Sequence, residues 1–185
     1  MSMQKLAFVT QNLGKFREVS SLLGVSLDHV SLDLDEIQSL DTHKIVHHKT
    51  LQAYNILKRP LFVDDTSLQV PAWNGFPGPF VKHIIEAGGP ELLLTLMKGT
   101  EDRSAEFTTT IGYHNGNNVH FVEGTTQGSI AIKPRGGNTW GINTIFIPEH
   151  SEKTYGEMSV EEKNTLSHRA KAITSFQKLL QSQQT

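Results

Sequence analysis

The chain has 185 residues, 37% of them hydrophobic, which suits one domain over residues 1–185 with room for two lobes. Seventeen basic against nineteen acidic residues leave a formal charge of -2, which excludes a basic groove tracking long DNA or RNA. The absence of cysteine excludes disulfides, thiolate nucleophiles and thiolate metal sites, so any metal must sit on oxygen or imidazole.

The opening stretch reaches a strand-like run at Leu6 to Val9 without a basic leader. No apolar run approaches the ~18 residues of a membrane span, so the expectation is a soluble cytoplasmic protein with no membrane partner. After Val9 come the turn-prone Gln11 to Gly14, then Phe16, Val19, Leu22 and Leu23 at helical spacing. His29 to Leu34 alternates as a second strand, and His43 to Leu57 predicts a second helix that stops before Pro60. Leu61 to Val63 is a third apolar strand. Pro71 to Pro79 holds three prolines and two glycines and reads as an ordered loop. Two helical stretches split by Gly88-Gly89-Pro90 follow. Ala105 to Tyr113 and Val119 to Ile132 alternate like antiparallel strands around a turn at His114 to Asn118. Ser159 and Glu162 make a capping-box signature that opens a C-terminal helical region with Leu166, Ala170, Ile173 and Leu180 on its apolar stripe. This order predicts an α/β fold around a mixed sheet with flanking helices.

Four segments carry residue types suited to phosphate chemistry. Thr10-Gln11-Asn12-Leu13-Gly14-Lys15 joins strand to helix, where backbone N–H groups and the helix dipole favour an anion and Lys15 adds charge. Ordinary helix capping explains the same residues. Asp64-Asp65-Thr66-Ser67 follows the third strand, where an α/β sheet usually presents its ligand. Adjacent side chains on extended backbone point to opposite faces, so only one carboxylate can aim squarely at a ligand, where it would hold a metal or take a proton from water. A turn-capping pair is the plainer alternative, and the adjacency speaks against a D-x-D-x-T phosphatase. Asp33-Leu34-Asp35-Glu36 offers a second metal ligand or a solvated strand end. In Lys163 to Arg169, one continuous helix would turn His168 and Arg169 away from Lys163 at about 100° per residue. The helix must therefore break near Ser167 if all of them meet one ligand; otherwise the segment is an exposed charged face.

Taken in order, these segments resemble the inosine triphosphate pyrophosphatase (Ham1-like) family over nearly the whole chain. Phe8-Val9-Thr10-Gln11-Asn12 with Lys15 and Glu18 is similar to its opening phosphate motif, and Phe62 to Leu68 to its catalytic strand. Gly75-Phe76-Pro77-Gly78-Pro79-Phe80 with Lys82 is similar to the loop that follows. Thr154-Tyr155, Glu157-Met158-Ser159, Glu162-Lys163-Asn164 and Ser167-His168-Arg169 form the most specific part. The chain departs from the pattern at Gln11, where Gly is common, and at Trp140-Gly141-Ile142-Asn143-Thr144, where the family usually reads aromatic-Asp-Pro.

The resemblance implies an elongated two-lobed fold with the site in the cleft between lobes, and a homodimer. It implies Asp65 as the acid that binds metal and activates water, with Glu36 as the second metal ligand and Mg²⁺, or Mn²⁺ in its place, as the metal. Thr10, Asn12, Lys15, Lys49 and Lys82 would surround the triphosphate, and Lys163, His168 and Arg169 the nucleoside, with Trp140 and Asn143 at the base. Thr66 and Ser167 would be further substrate-binding residues. The implied activity is hydrolysis of inosine- and xanthosine-type triphosphates, deoxy forms included, to monophosphate and pyrophosphate. A pyrophosphatase of another base preference and a non-catalytic nucleotide-binding module are the alternatives.

Overall fold

A computed structural model describes residues 5–137 and 141–183. The elements in chain order are β1 (Ala7–Val9), α1 (Leu13–Leu23), β2 (Asp28–Val30), α2 (Thr42–Leu57), β3 (Leu61–Gln69), β4 (Pro77–Gly78), α3 (Val81–Leu96), β5 (Ser104–His114), β6 (Val119–Ile130), β7 (Phe146–Pro148), α4 (Val160–Leu166) and α5 (His168–Ser182), with short 3-10 turns at Pro71–Trp73, Gly141–Thr144 and Tyr155–Glu157. The described strands form one open seven-stranded sheet of order β2-β1-β3-β5-β6-β7, with β4 paired to β3. β1 runs parallel to β2 and β3, whereas β4 is antiparallel to β3 and β7 to β6, so the sheet is mixed as expected.

The chain divides into two compact units: Met1–Asp65 with Thr109–Gly124 and Arg169–Thr185, and Thr66–Thr108 with Thr125–His168. In the first unit, strand alternation sorts the core into two clusters. Phe8, Phe62, Ile111 and Tyr113 pack with Val19 and Leu23 of α1 and with Ala172, Ile173 and Phe176 of α5. Ala7, Val9, Leu61 and Val63 pack with Val46 and Ala53 of α2. Helices therefore cover both faces of these strands, which is why β1 and the start of β3 read as continuous apolar runs. The Phe8 and Phe62 rings stack in parallel at 4.5 Å, and Phe176 lies 4.9 Å from Phe62. The second unit has its own core, in which Leu68, Val81, Ile85, Leu93, Phe107, Ile130, Phe146 and Tyr155 meet.

Several expectations need correction. β2 ends at Val30 instead of continuing to Leu34, because among the described strands it pairs with β1 alone, whose register runs out at Val9↔Val30. Leu32 and Leu34 still pack against the α2-side cluster without forming a ladder. β3 continues to Gln69, so Asp64 and Asp65 lie within the strand and not after it; β1 pairs with its start at Leu61 and Phe62, β4 with its end at Leu68 and Gln69, and β5 is its other neighbour in the sheet. The proline-rich loop contains the short strand β4. β7 is an element without a sequence signal of its own. The split at Gly88-Gly89 stands, with Gly89 at φ 68° in the left-handed region. The Ser159 and Glu162 capping box forms with both of its bonds, Glu162 N–H to Ser159 Oγ at 3.1 Å and Ser159 N–H to Glu162 Oε2 at 2.8 Å. The C-terminal region breaks at Ser167, which is extended at φ -73° and ψ 147° between α4 and α5.

One glycine reports how closely α2 approaches the sheet. A Cβ at Gly112 on β5 would run into Thr50 and Val46 of α2, and Thr50 is fully buried with its hydroxyl bound to the Val46 carbonyl at 2.7 Å. Gly112→Ala should therefore destabilise the protein by about 1–3 kcal/mol through overpacking. Urea denaturation measures it, and an unchanged midpoint would show that α2 shifts at no cost.

Candidate active site

The loop after β1 is shaped by its own side chains. Asn12 is the N-cap of α1, and its Oδ1 accepts the Lys15 N–H at 3.0 Å, while the Asn12 N–H donates to Thr10 Oγ1 at 3.1 Å. The loop is thus a capped helix start that also carries Lys15 on the first turn of α1. Gln11 is absent from the residues with positive φ, so the backbone here makes no demand for glycine. His29, opposite Phe8 in the β1/β2 register, places Nε2 at 2.9 Å from the Thr10 carbonyl and its ring 4.5 Å from Phe16. A carbonyl only accepts, so Nε2 carries the proton.

Alternation along β3 then separates the two aspartates. Asp64 follows the direction of Phe62, toward α1 and α5, and its side chain is only 2% exposed. Lys15 Nζ lies 3.2 Å from its Oδ1 and Arg169 Nε 3.4 Å from its Oδ2, while Arg169 NH1 donates to Glu18 Oε2 at 2.8 Å. Burial opposes the charge on Asp64, yet Lys15, then Arg169 and Lys49, hold its carboxyl below the usual value. Burial likewise opposes the charge on Arg169, and Glu18 and Asp64 outweigh it. Two cations and two carboxylates form a compensated cluster at this position.

Asp65 follows Val63 instead, toward α2, and its side chain is 20% exposed. Lys49 Nζ on α2 sits 3.3 Å from Asp65 Oδ2 and 3.1 Å from Glu36 Oε1. Burial pushes the Lys49 pKa down, but Asp65 and then Glu36 raise it above its usual value, so Lys49 remains a cation at neutral pH. Glu36 and Asp65 thus both contact the Lys49 ammonium. No group of three or more His, Cys, Asp or Glu residues suited to a metal occurs among the described residues.

In the second unit, Thr66 is half-buried on β3, and Lys82 near the start of α3 is exposed with Glu86 at 4.0 Å. Asn143 lies in the Gly141–Thr144 turn, which is tied down where the Arg135 N–H donates to the Thr144 carbonyl at 2.8 Å. Lys163 on α4 holds its Nζ 5.9 Å from the Tyr155 ring centroid. Ser167 is buried at the α4/α5 break and its N–H donates to the Lys163 carbonyl at 2.8 Å. The buried His168 ring lies 4.1 Å from Phe107 and 6.2 Å from Tyr155. Trp140 lies outside the described residues.

The first unit thus brings Thr10, Asn12 and Lys15 together in one loop, and Glu36, Lys49 and Asp65 in one cluster, with Arg169 on Asp64. Lys163, Ser167 and His168 gather around the end of α4. Sequence reasoning had no role for His29 or for Tyr155 as a ring platform, and apart from the family resemblance it left the division between Asp64 and Asp65 open. Period-2 alternation counted from the apolar Phe62 and Val63 was the available signal for that division.

The Asp64 cluster makes a pH prediction. A carboxyl depressed in the folded state contributes stability that is complete above its ordinary value of 3.8 and is lost as pH falls through the lower folded-state value. Asp64→Asn should cost about 3–5 kcal/mol at neutral pH because it removes the carboxylate that Lys15 and Arg169 share, leaving Glu18 to face Arg169. The gap between wild type and variant should narrow as pH falls from the ordinary value through the lower folded-state value, below which wild-type Asp64 is itself protonated. Urea unfolding of both proteins across that range checks it, and a gap independent of pH would refute the assignment.

The Ham1 family profile matches residues 6–179. The dITP/XTP pyrophosphatase of Methanopyrus kandleri is 38% identical, over 93% of this chain and 94% of its own. Inosine triphosphate pyrophosphatase 2 of Trypanosoma cruzi is 41% identical, over 95% of this chain and 91% of its own. The inosine triphosphate pyrophosphatase of Saccharomyces cerevisiae is 36% identical, over 97% and 98% respectively. Among solved structures, the Ham1 protein of Staphylococcus aureus superposes with a TM-score of 0.83 at 27% identity, covering 97% of this chain and all of that one. A HAM1 protein from Coxiella burnetii gives 0.84 at 26% identity with the same coverage. With the motifs in order and the family profile spanning residues 6–179, the chain belongs to the Ham1 family.

Proposed function

We propose that this protein hydrolyses non-canonical purine nucleoside triphosphates, those of inosine and xanthosine and their deoxy forms, to the nucleoside monophosphate and pyrophosphate. The names of the relatives support the substrate class, and the sorting of Asp64 from Asp65 is the observation that carries the chemistry. Asp64 is buried and already neutralised by Lys15 and Arg169, which leaves it a poor proton acceptor. Asp65 is partly exposed and faces Lys49 and Glu36. It takes a proton from water, whose oxygen attacks the α phosphorus. The bond from that phosphorus to the α–β bridging oxygen breaks, and pyrophosphate leaves.

Lys49 stays cationic beside Asp65 and, with Lys15, offsets phosphate charge near the acids. The two carboxylates already flank a cation, and their oxygens suit a hard divalent ion that completes its shell with water and phosphate oxygens. Glu36 and Asp65 would hold Mg²⁺ or Mn²⁺, and the ion would supply charge neutralisation to the triphosphate when bound. Arg169 is donor-only and suits a 6-keto purine better than the 6-amino group of adenine. Residues Lys82, Asn143, Lys163, Ser167 and His168 complete the substrate contacts of this reading. A homodimer in the cytoplasm belongs to it as well, on the strength of the resemblance.

Asp65→Asn should retain nucleotide binding and lower kcat by about 10²-fold or more, the range lost with a general base. Steady-state hydrolysis of inosine triphosphate alongside direct binding measures both; a variant of near-normal rate would move the role to another group. kcat/KM for inosine triphosphate should exceed that for ATP by at least about 10²-fold, because mismatched polar groups in a hydrogen-bonding pocket stay unpaired. A panel of purine and pyrimidine triphosphates, assayed for pyrophosphate against orthophosphate, tests this. ATP or a pyrimidine triphosphate within about threefold of inosine triphosphate would displace the keto-purine assignment.

A further inference from the structure

Glu36 sits on a stretch with little to hold it. Residues 31–39 form neither helix nor strand, most of them are exposed, and the Glu36 side chain is itself 41% exposed. Leu32 and Leu34 anchor the beginning of the stretch in the core, and Asp41 caps α2 at its end. Between these anchors the Gln52 side chain grips the backbone. The Asp35 N–H donates to Gln52 Oε1 at 2.8 Å, and Gln52 Nε2 donates to Asp35 Oδ2 at 2.9 Å. Gln52 lies three residues beyond Lys49 on α2, so the two share a helix face, and Lys49 is the residue that meets Glu36.

We propose that Gln52 is a positioning residue: its reciprocal pair of hydrogen bonds to Asp35 holds the adjoining Glu36 carboxylate beside Lys49 and Asp65, ready for a divalent cation. This rests on the reading of Glu36 and Asp65 as the metal ligands. Two bonds to one residue fix both its backbone and its side chain, and with them the direction in which the next residue leaves. The same clamp engages the Asp35 carboxylate, which explains why Glu36, of two successive acids, is the one at Lys49. Without it, Glu36 would have to be ordered anew whenever the cation binds, and that cost falls on metal affinity rather than on the chemical step.

Gln52→Glu keeps the acceptor for the Asp35 N–H but loses the donor and sets a carboxylate against Asp35. Its Mn²⁺ dissociation constant, measured by titration without nucleotide, should rise about 10-fold, as should the Mn²⁺ concentration for half-maximal activity. At saturating Mn²⁺, kcat should stay within about threefold of wild type. Amide exchange over residues 31–38 should quicken in the metal-free protein. Adding Asp35→Asn restores a donor opposite the new acceptor, so the double variant should recover both metal affinity and exchange protection. Glu36→Gln separates the two layers of argument. If it weakens Mn²⁺ binding while Gln52→Glu does not, or if the double variant stays as impaired as Gln52→Glu, the positioning role is overturned and the metal-ligand reading stands. If Glu36→Gln leaves Mn²⁺ binding and activation unchanged, the metal-ligand reading fails and takes this role with it.

Discussion

Consecutive side chains of a β-strand must leave on opposite faces, and in this protein β3 carries that rule from the apolar core into the chemistry. Leu61 and Val63 meet α2, while Phe62 meets α1 and α5. The strand does not stop at Asp64, so the alternation continues: Asp64 goes to the α1 and α5 side and Asp65 to the α2 side. Two chemically identical groups on adjacent residues thereby enter different surroundings. A one-residue slip in the register of β3 would exchange both the core set and the two carboxylates at once. The large apolar contacts that forbid the slip, such as the parallel stack of Phe8 on Phe62, therefore also protect the assignment of the acids.

Those surroundings decide what each acid can do. A carboxylate as buried as Asp64 survives ionised only with close cations, and Lys15 and Arg169 provide them, with Glu18 balancing the second positive charge. The cluster links the first turn of α1, the strand and the start of α5. Its strength is also its limitation, since an acid held so firmly in the charged form has little proton affinity left. Asp65 keeps partial access to solvent and shares Lys49 with Glu36.

Local backbone devices place the rest. The Thr10 and Asn12 side chains close the loop before α1 on itself, and His29 secures the Thr10 carbonyl from the neighbouring strand. At the other end of the chain, the break at Ser167 ends α4 and begins a new helix. Lys163 and His168 belong to the second unit, and Arg169 is the first residue of the final segment of the first. Thr126 donates to the Leu166 carbonyl at 2.7 Å and so satisfies an acceptor that the interrupted helix leaves open.

Much of this was legible in the residues. The helix caps at Asn12 and Ser159, the glycine split in α3, the β5/β6 hairpin and the break near Ser167 all follow from local chemistry within a few positions. The ordered motifs carried the family. The tertiary structure alone decided that β2 stops with its short partner, that β3 runs on through Asp64 and Asp65, and which carboxylate each cation meets. The difference is one of range. Caps, turns and periodicity are interactions between near neighbours and are written in the sequence directly. The pairing of Asp64 with Arg169 joins residues 105 positions apart, and the clamp of Gln52 on Asp35 spans 17. Such pairings exist only once the sheet and its helices bring distant segments within hydrogen-bond reach.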